Sequence, residues 1–129
     1  MTPYLHARST ARKWGGTYED YLDIHEWFDS SKLVIPDHRH RSLYHHTLGI
    51  EQARLIFGPV RVVTTKKGNK REVPVKLIGE QHVIEDLGFL PTPMHYIEDM
   101  TLQKWMSGVV MREVNVAEIL RDKEKEYDF

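Results

Sequence analysis

One stretch of this chain abandons helical spacing: VRVVTTKKGNKREVPVKLI, residues 60–78. Two Val-rich runs flank a Lys-Lys-Gly-Asn turn, which predicts a β-hairpin with Gly68-Asn69 at its tip. Pro74 has no N–H to give to a ladder, so the second strand is restricted to an edge. No other segment carries a clear β signal. The expected fold is mainly α, a compact bundle of about five to six helices with one inserted β-hairpin.

The helices are read from caps and apolar periodicity. Thr2-Pro3 starts a short first helix that carries His6 and stops at Gly15-Gly16. Thr17 caps YEDYLDIHEWFDSS, in which Tyr21, Ile24, Trp27 and Phe28 form an apolar stripe. From Pro36 to Phe57 the spacing of Leu43, Ile50 and Phe57, with Leu48 and Leu55, predicts one long amphipathic helix closed by Gly58-Pro59. After the hairpin, EQHVIEDLG reads as a short helix with Val83, Ile84 and Leu87 inward. Thr92-Pro93 opens another short helix, and Thr101 is expected to cap TLQKWMSG. Asn115 opens VAEILRDKEKEYDF, whose apolar face is small beside its charged one. A single helical domain is therefore expected over 1–108, with 109–129 as a peripheral C-terminal helix.

Histidine is the unusual component. Eight occur in 129 residues, four of them in DHRHRSLYHH, residues 37–46. Helical geometry divides that decapeptide, because i and i+4 share a face and i and i+5 do not. His46 is assigned to the apolar side and His38 to solvent. Convergence therefore needs other helices: His25 and Asp29 lie one turn apart, and His82 stands i, i+3 from Glu85 and i, i+4 from Asp86. With no cysteine in the chain, any metal must be held by His, Asp, Glu or water. The candidate metal ligands are His25, His40, His45 and His82, for a divalent Zn, Mn or Fe ion, with Glu85 or Asp29 as a further ligand or general base. His-carboxylate pairs at this spacing also occur as simple surface hydrogen bonds. His6 and His95 have no partner close in sequence and are read as partly exposed. Arg39 and Arg41 flank His40 at a helix start and form a candidate anion site, which plain pairing with Asp37, Glu26 or Asp29 would equally explain.

The words WFD-SK, RHR-L--HH--GI and GEQHV-EDLG together resemble a family of small uncharacterised phage and bacterial proteins with no assigned activity. The resemblance runs from Pro3 to about Trp105 and implies a shared fold without naming a reaction. A looser similarity to HD-type metal-dependent phosphohydrolases rests on separated histidines and an acidic residue on helices, although no His-Asp dipeptide occurs.

Eighteen basic residues against nineteen acidic ones remove the broad positive field of a non-specific nucleic-acid binder, leaving room only for a local basic patch. No apolar run approaches the ~20 residues of a membrane span, and the N-terminus lacks a signal-peptide core. The expected location is the cytoplasm, that of the host if the chain is phage-encoded. Two function classes remain: a divalent-metal protein, in its narrower form a hydrolase of a phosphate-containing substrate, and a non-enzymatic accessory protein that binds a host or partner chain.

Overall fold

A computed structural model describes residues 1–108 and 115–127. Among them are helices α1 (Pro3–Trp14), α2 (Leu22–Asp29), α3 (Arg41–Tyr44), α4 (Thr47–Phe57), α5 (Val75–Leu87), α6 (Pro93–Ile97) and α7 (Val116–Glu124). Strands β1 (Val60–Thr64) and β2 (Lys70–Pro74) pair antiparallel, from Val60 opposite Pro74 to Thr64 opposite Lys70. The expected mainly α fold with one inserted hairpin is what the chain adopts. It divides into two compact units, Met1–Glu98 and Asp99–Phe129. No helix of the described residues is long and apolar enough to cross a membrane.

The first unit is built on α5, which packs against α1, α2 and α4. Its core joins Tyr21, Ile24 and Phe28 of the α2 region to Ile50 and Ala53 of α4, Val63 and Val73 of the hairpin, and Val75, Ile78 and Val83 of α5. Close approach is possible because Gly79 lacks a side chain: a Cβ there would lie 2.9 Å from the Phe28 ring and 3.3 Å from Ile50. Beside this contact the Trp27 ring stacks on Tyr44, centroids 4.3 Å apart.

Three local expectations are corrected. The long helix over Pro36–Phe57 is broken, first into a 3-10 turn (His38–His40) begun by the Asp37 carboxylate accepting from Arg39 N–H, then into α3 and α4. Between the two helices His46 is extended (φ -162°, ψ 174°), and its Nδ1 accepts from the Gly49 N–H at 3.0 Å. Imidazole here replaces the usual Ser, Thr, Asp or Asn cap, so the break carries no conventional signal. Leu48 and Leu55 consequently lie outside, Leu55 being 76% exposed. The second strand ends at Pro74, and VKLI begins α5 instead. A strand would have placed Val75 and Leu77 on one face. The helix buries Val75 and Ile78, one turn apart, and leaves Leu77 and Ile84 exposed. Finally, Gln103 rather than Thr101 precedes the last short turn of TLQKWMSG, a 3-10 turn over Lys104–Ser107. In the second unit, Asn115 caps α7 by accepting from the Glu118 N–H at 3.1 Å.

Candidate metal centre

Three helices each present two polar side chains one turn apart. These pairs are His6 and Thr10 on α1, His25 and Asp29 on α2, and His82 and Asp86 on α5. All three pairs face inward, as i, i+4 spacing requires of residues on one helical face. His45 joins them from the junction of α3 and α4. Its backbone leaves helical geometry (ψ 63°), and its carbonyl accepts a hydrogen bond from the Tyr96 hydroxyl at 2.8 Å.

Four donor atoms surround one point. His45 Nε2 lies 3.1 Å from His82 Nε2, 3.0 Å from Asp86 Oδ2 and 3.5 Å from Asp29 Oδ1. His82 Nε2 is 3.4 Å from each of the same two oxygens. Two imidazoles and two carboxylates held at bond lengths of about 2.0–2.1 Å to a tetrahedral zinc ion would stand about 3.3 Å apart. The observed spacings bracket that value. A divalent ion at the centre would satisfy all four atoms at once, and the donor set suits Zn, Mn or Fe.

Electrostatics agree with such a site. Both histidines are fully buried, and Asp29 is only 8% exposed. Burial alone would raise the Asp29 and Asp86 carboxyls. Hydrogen bonds from His45 and His82, and for Asp86 also from His6, hold both well below the usual carboxylate range. Burial pulls His45 down, but its bonds to Asp29 and Asp86 outweigh this and leave it raised. Asp29 Oδ2 and His45 Nδ1 are buried without a hydrogen-bond partner.

A chain of hydrogen-bonded side chains stands behind His82. His82 Nδ1 meets His25 Nδ1 at 2.9 Å, and His25 Nε2 meets the Thr10 hydroxyl at 2.8 Å. If His82 Nε2 gives its lone pair to a metal, Nδ1 must carry the proton and donate to His25, whose Nε2–H then donates to Thr10. The Thr10 hydroxyl donates in turn to Gln81 Oε1 at 2.5 Å, and Gln81 Nε2 donates to Glu85 Oε1 at 2.5 Å. One choice of tautomer thus satisfies the whole chain, as outer partners of ligating histidines commonly do. Burial, followed by the neighbouring His82 and His6 rings, pulls the His25 pKa down to about 2, so it stays neutral. His6 faces carboxylates at both nitrogens, Glu85 Oε1 at 2.9 Å and Asp86 Oδ1 at 3.1 Å.

His6, His25 and His82 form a second cluster with nitrogens near one another. Their rings, however, lie face to face: His6 and His82 centroids are 3.9 Å apart with planes tilted 31°, and His25 and His82 are stacked at 5.1 Å. Metal binding uses in-plane nitrogen lone pairs, and both nitrogens of His6 are engaged by carboxylates instead. The cluster reads as the support of the four-donor group rather than as a second centre.

Of the residues singled out in the sequence, His45, His82 and Asp29 converge, and His25 stands behind His82. His40 does not join them. Its Nδ1 lies 3.0 Å from the Ser31 hydroxyl and its ring sits edge-on to His45 at 5.3 Å. Glu85 is held by His6, by Gln81 and by the Ser9 hydroxyl at 2.6 Å. Arg39 is exposed and forms a fork on Asp37, Nη2 to Oδ2 at 2.7 Å, while Arg41 Nε is buried without a partner. The structure therefore brings no joint anion cradle from Arg39 and Arg41. His46 is buried and His38 exposed, as the helical reading had them. His6, expected near the surface, is fully buried. Its signal was the spacing His6-x-x-x-Thr10, the same one-turn repeat seen in His25/Asp29 and His82/Asp86.

A family model described as a domain of unknown function (DUF6915) matches residues 1–106. No curated protein and no solved structure matches the chain.

Proposed function

Because the chain belongs to the DUF6915 family, a domain of unknown function, we propose from its geometry that it is a divalent-metal-binding protein. Asp29, His45, His82 and Asp86 are the ligands, and Zn, Mn or Fe is the ion. The observation that carries this reading is the set of five ligand-to-ligand spacings between 3.0 and 3.5 Å around one buried point. The resemblance to phage and bacterial proteins is consistent with work in a cytoplasm, including that of a host.

Two narrower readings differ in what the ion does. A bound divalent ion can lower the pKa of a coordinated water to ~7 and so supply a hydroxide for hydrolysis of a phosphate ester. That chemistry needs an open coordination position, which Mn or Fe with five or six ligands would keep and a closed tetrahedron would not. It also needs a free base, whereas Glu85 is held by three side chains and Asp29 belongs to the donor set. The burial of all four ligands favours the other reading, in which the ion fastens α2, α5 and the α3–α4 junction together in a non-enzymatic accessory protein.

The test is elemental analysis of untagged protein purified without added metal. About one equivalent of Zn, Mn or Fe per chain is expected, with a fall in melting temperature on chelation and recovery on adding the ion back. Absence of metal, together with a melting temperature that added metal leaves unchanged, overturns the proposal. Turnover of generic phosphoesters by the loaded protein, abolished by chelation, would select the hydrolase; silence across that screen selects the structural ion.

A further inference from the structure

Cations are distributed unevenly over the first unit. Elsewhere four of the unit's six cations pair with acids, Arg39 with Asp37, Arg54 with Glu51, Arg61 with Asp23 and Lys32 with Asp29, Arg41 and Lys76 being the exceptions. Along α1 and the hairpin tip stand Arg8, Arg12, Lys13, Lys66, Lys67, Lys70 and Arg71, and none of these forms an ion pair among the described residues. Two adjoining hollows collect all of them but Lys13. One, of about 450 Å³, is lined by Lys66, Lys67, Lys70 and Arg71 with Gly15, Thr65 and Asn69. The other, of about 290 Å³, is lined by Arg8, Arg12 and Lys66 with Gly16, Thr17 and Tyr18. Lys66 borders both, and no acidic side chain lines either. The nearby Asp20 is occupied by the Thr17 N–H at 2.8 Å.

The hairpin holds this arrangement in place. Arg71 Nη1 donates to the Trp14 carbonyl at 2.8 Å, fastening β2 to the end of α1, and the Lys70 ammonium donates to the Thr64 hydroxyl at 2.8 Å. A face that gathers unpaired cations in a chain of formal charge -1 concentrates self-repulsion, which a polyanion would relieve.

We propose that the α1–hairpin face binds the sugar-phosphate backbone of double-stranded nucleic acid, without sequence preference. Regularly spaced phosphates complement cations spread over two adjoining hollows better than a single small anion would. Duplex is favoured over single strands because the aromatic rings beside the patch are already engaged and offer bases no stacking platform. Tyr18 meets Tyr4 edge-on at 5.0 Å, and the Trp14 ring carries the Lys13 ammonium at 4.8 Å.

The experiment is fluorescence anisotropy of the full chain with a labelled random-sequence DNA duplex of about 20 base pairs, at 50 to 200 mM salt. Micromolar binding at 50 mM is expected, with log K falling against log salt by about 0.9 per phosphate contacted. Lys66→Gln with Lys67→Gln is expected to weaken binding about tenfold and to flatten the slope by up to about 2. Lys76→Gln with Arg54→Gln, at distant exposed or half-buried sites, should change neither. Circular dichroism and melting of each variant confirm that the fold is retained. No binding at 50 mM salt, equal loss in both variant pairs, tighter binding to single strands of the same length, or binding to anionic vesicles alone would each overturn the proposal. None of these cations belongs to the proposed metal ligands Asp29, His45, His82 and Asp86, so the two proposals fail independently.

Discussion

The Nε2 atoms of His45 and His82 lie 3.1 Å apart and face the same two carboxylates, Asp29 and Asp86. Two such nitrogens cannot both offer lone pairs at that distance unless a cation or a proton stands between them. Substituting either ring should therefore remove metal at near-stoichiometric concentrations: His45→Ala and His82→Ala are each expected to retain less than a tenth of the wild-type content by elemental analysis. Retention in both would show that other side chains hold the ion.

His25 should behave differently, because it touches His82 and not the central point. His25→Leu removes the acceptor for His82 Nδ1–H and is expected to weaken metal binding by about 10- to 100-fold without abolishing it. His25→Gln restores an acceptor and should recover part of that loss. Competition against a chromophoric chelator reads the affinities, and complete loss in the Gln variant would make His25 a ligand.

Asp86 connects the two layers, one oxygen meeting His6 and the other meeting His45 and His82. Asp86→Asn keeps its shape and removes its charge, leaving His6 with one fewer anionic partner. A loss of about 3 kcal/mol is expected even in chelated protein, as for other broken buried pairs. Urea denaturation measures it, and a neutral result would show that the carboxylate matters only to the metal.

The metal-free protein should lose stability as pH falls from 6.5 to 5. His25 is lowered to about 2, and burial likewise lowers His40 and His46, so below 6.5 the unfolded chain binds protons that the folded chain refuses. His25 alone accounts for about 2 kcal/mol over that interval. His45, raised, has the opposite sign: its contribution is complete below 6.5 and fades only as pH climbs through its folded value. Asp29 and Asp86, both lowered, add a further loss only below the ordinary carboxylate range. Denaturation midpoints in the presence of chelator at several pH values check the slope, and flat stability across the interval would contradict it.

Gly79→Ala should cost about 1–3 kcal/mol, since the new methyl would meet the Phe28 ring at 2.9 Å and Ile50 at 3.3 Å. Gly49→Ala should be worse, because its Cβ would lie 1.9 Å from the Tyr44 carbonyl oxygen, a backbone atom unable to move aside. Melting of both variants tests the order.

Much of this was legible in the residues. The single hairpin followed from Gly68-Asn69 between Val-rich runs, and the inward stripe of Tyr21, Ile24 and Phe28 from its spacing. The pairs His25/Asp29 and His82/Asp86 could be placed on helical faces before any partner was known. What could not be read was tertiary. Nothing local announces that His46 caps a helix, and so nothing reveals that His45 lies at a break instead of along a helix. His6 looked partnerless because both its partners, Glu85 and Asp86, are some eighty residues away. His40 looked equal to His45 because the continuous helix assumed for both does not exist.

The stack of Trp27 on Tyr44 acquires a use from this layout. Trp27 stands two residues before Asp29, and Tyr44 immediately precedes His45, so the two rings belong to separate elements that each deliver one donor. Any drawing together of those donors alters the overlap of an indole with a phenol. The molecule thereby carries a built-in optical gauge, whose emission should report whether its centre is loaded without a dye or a label.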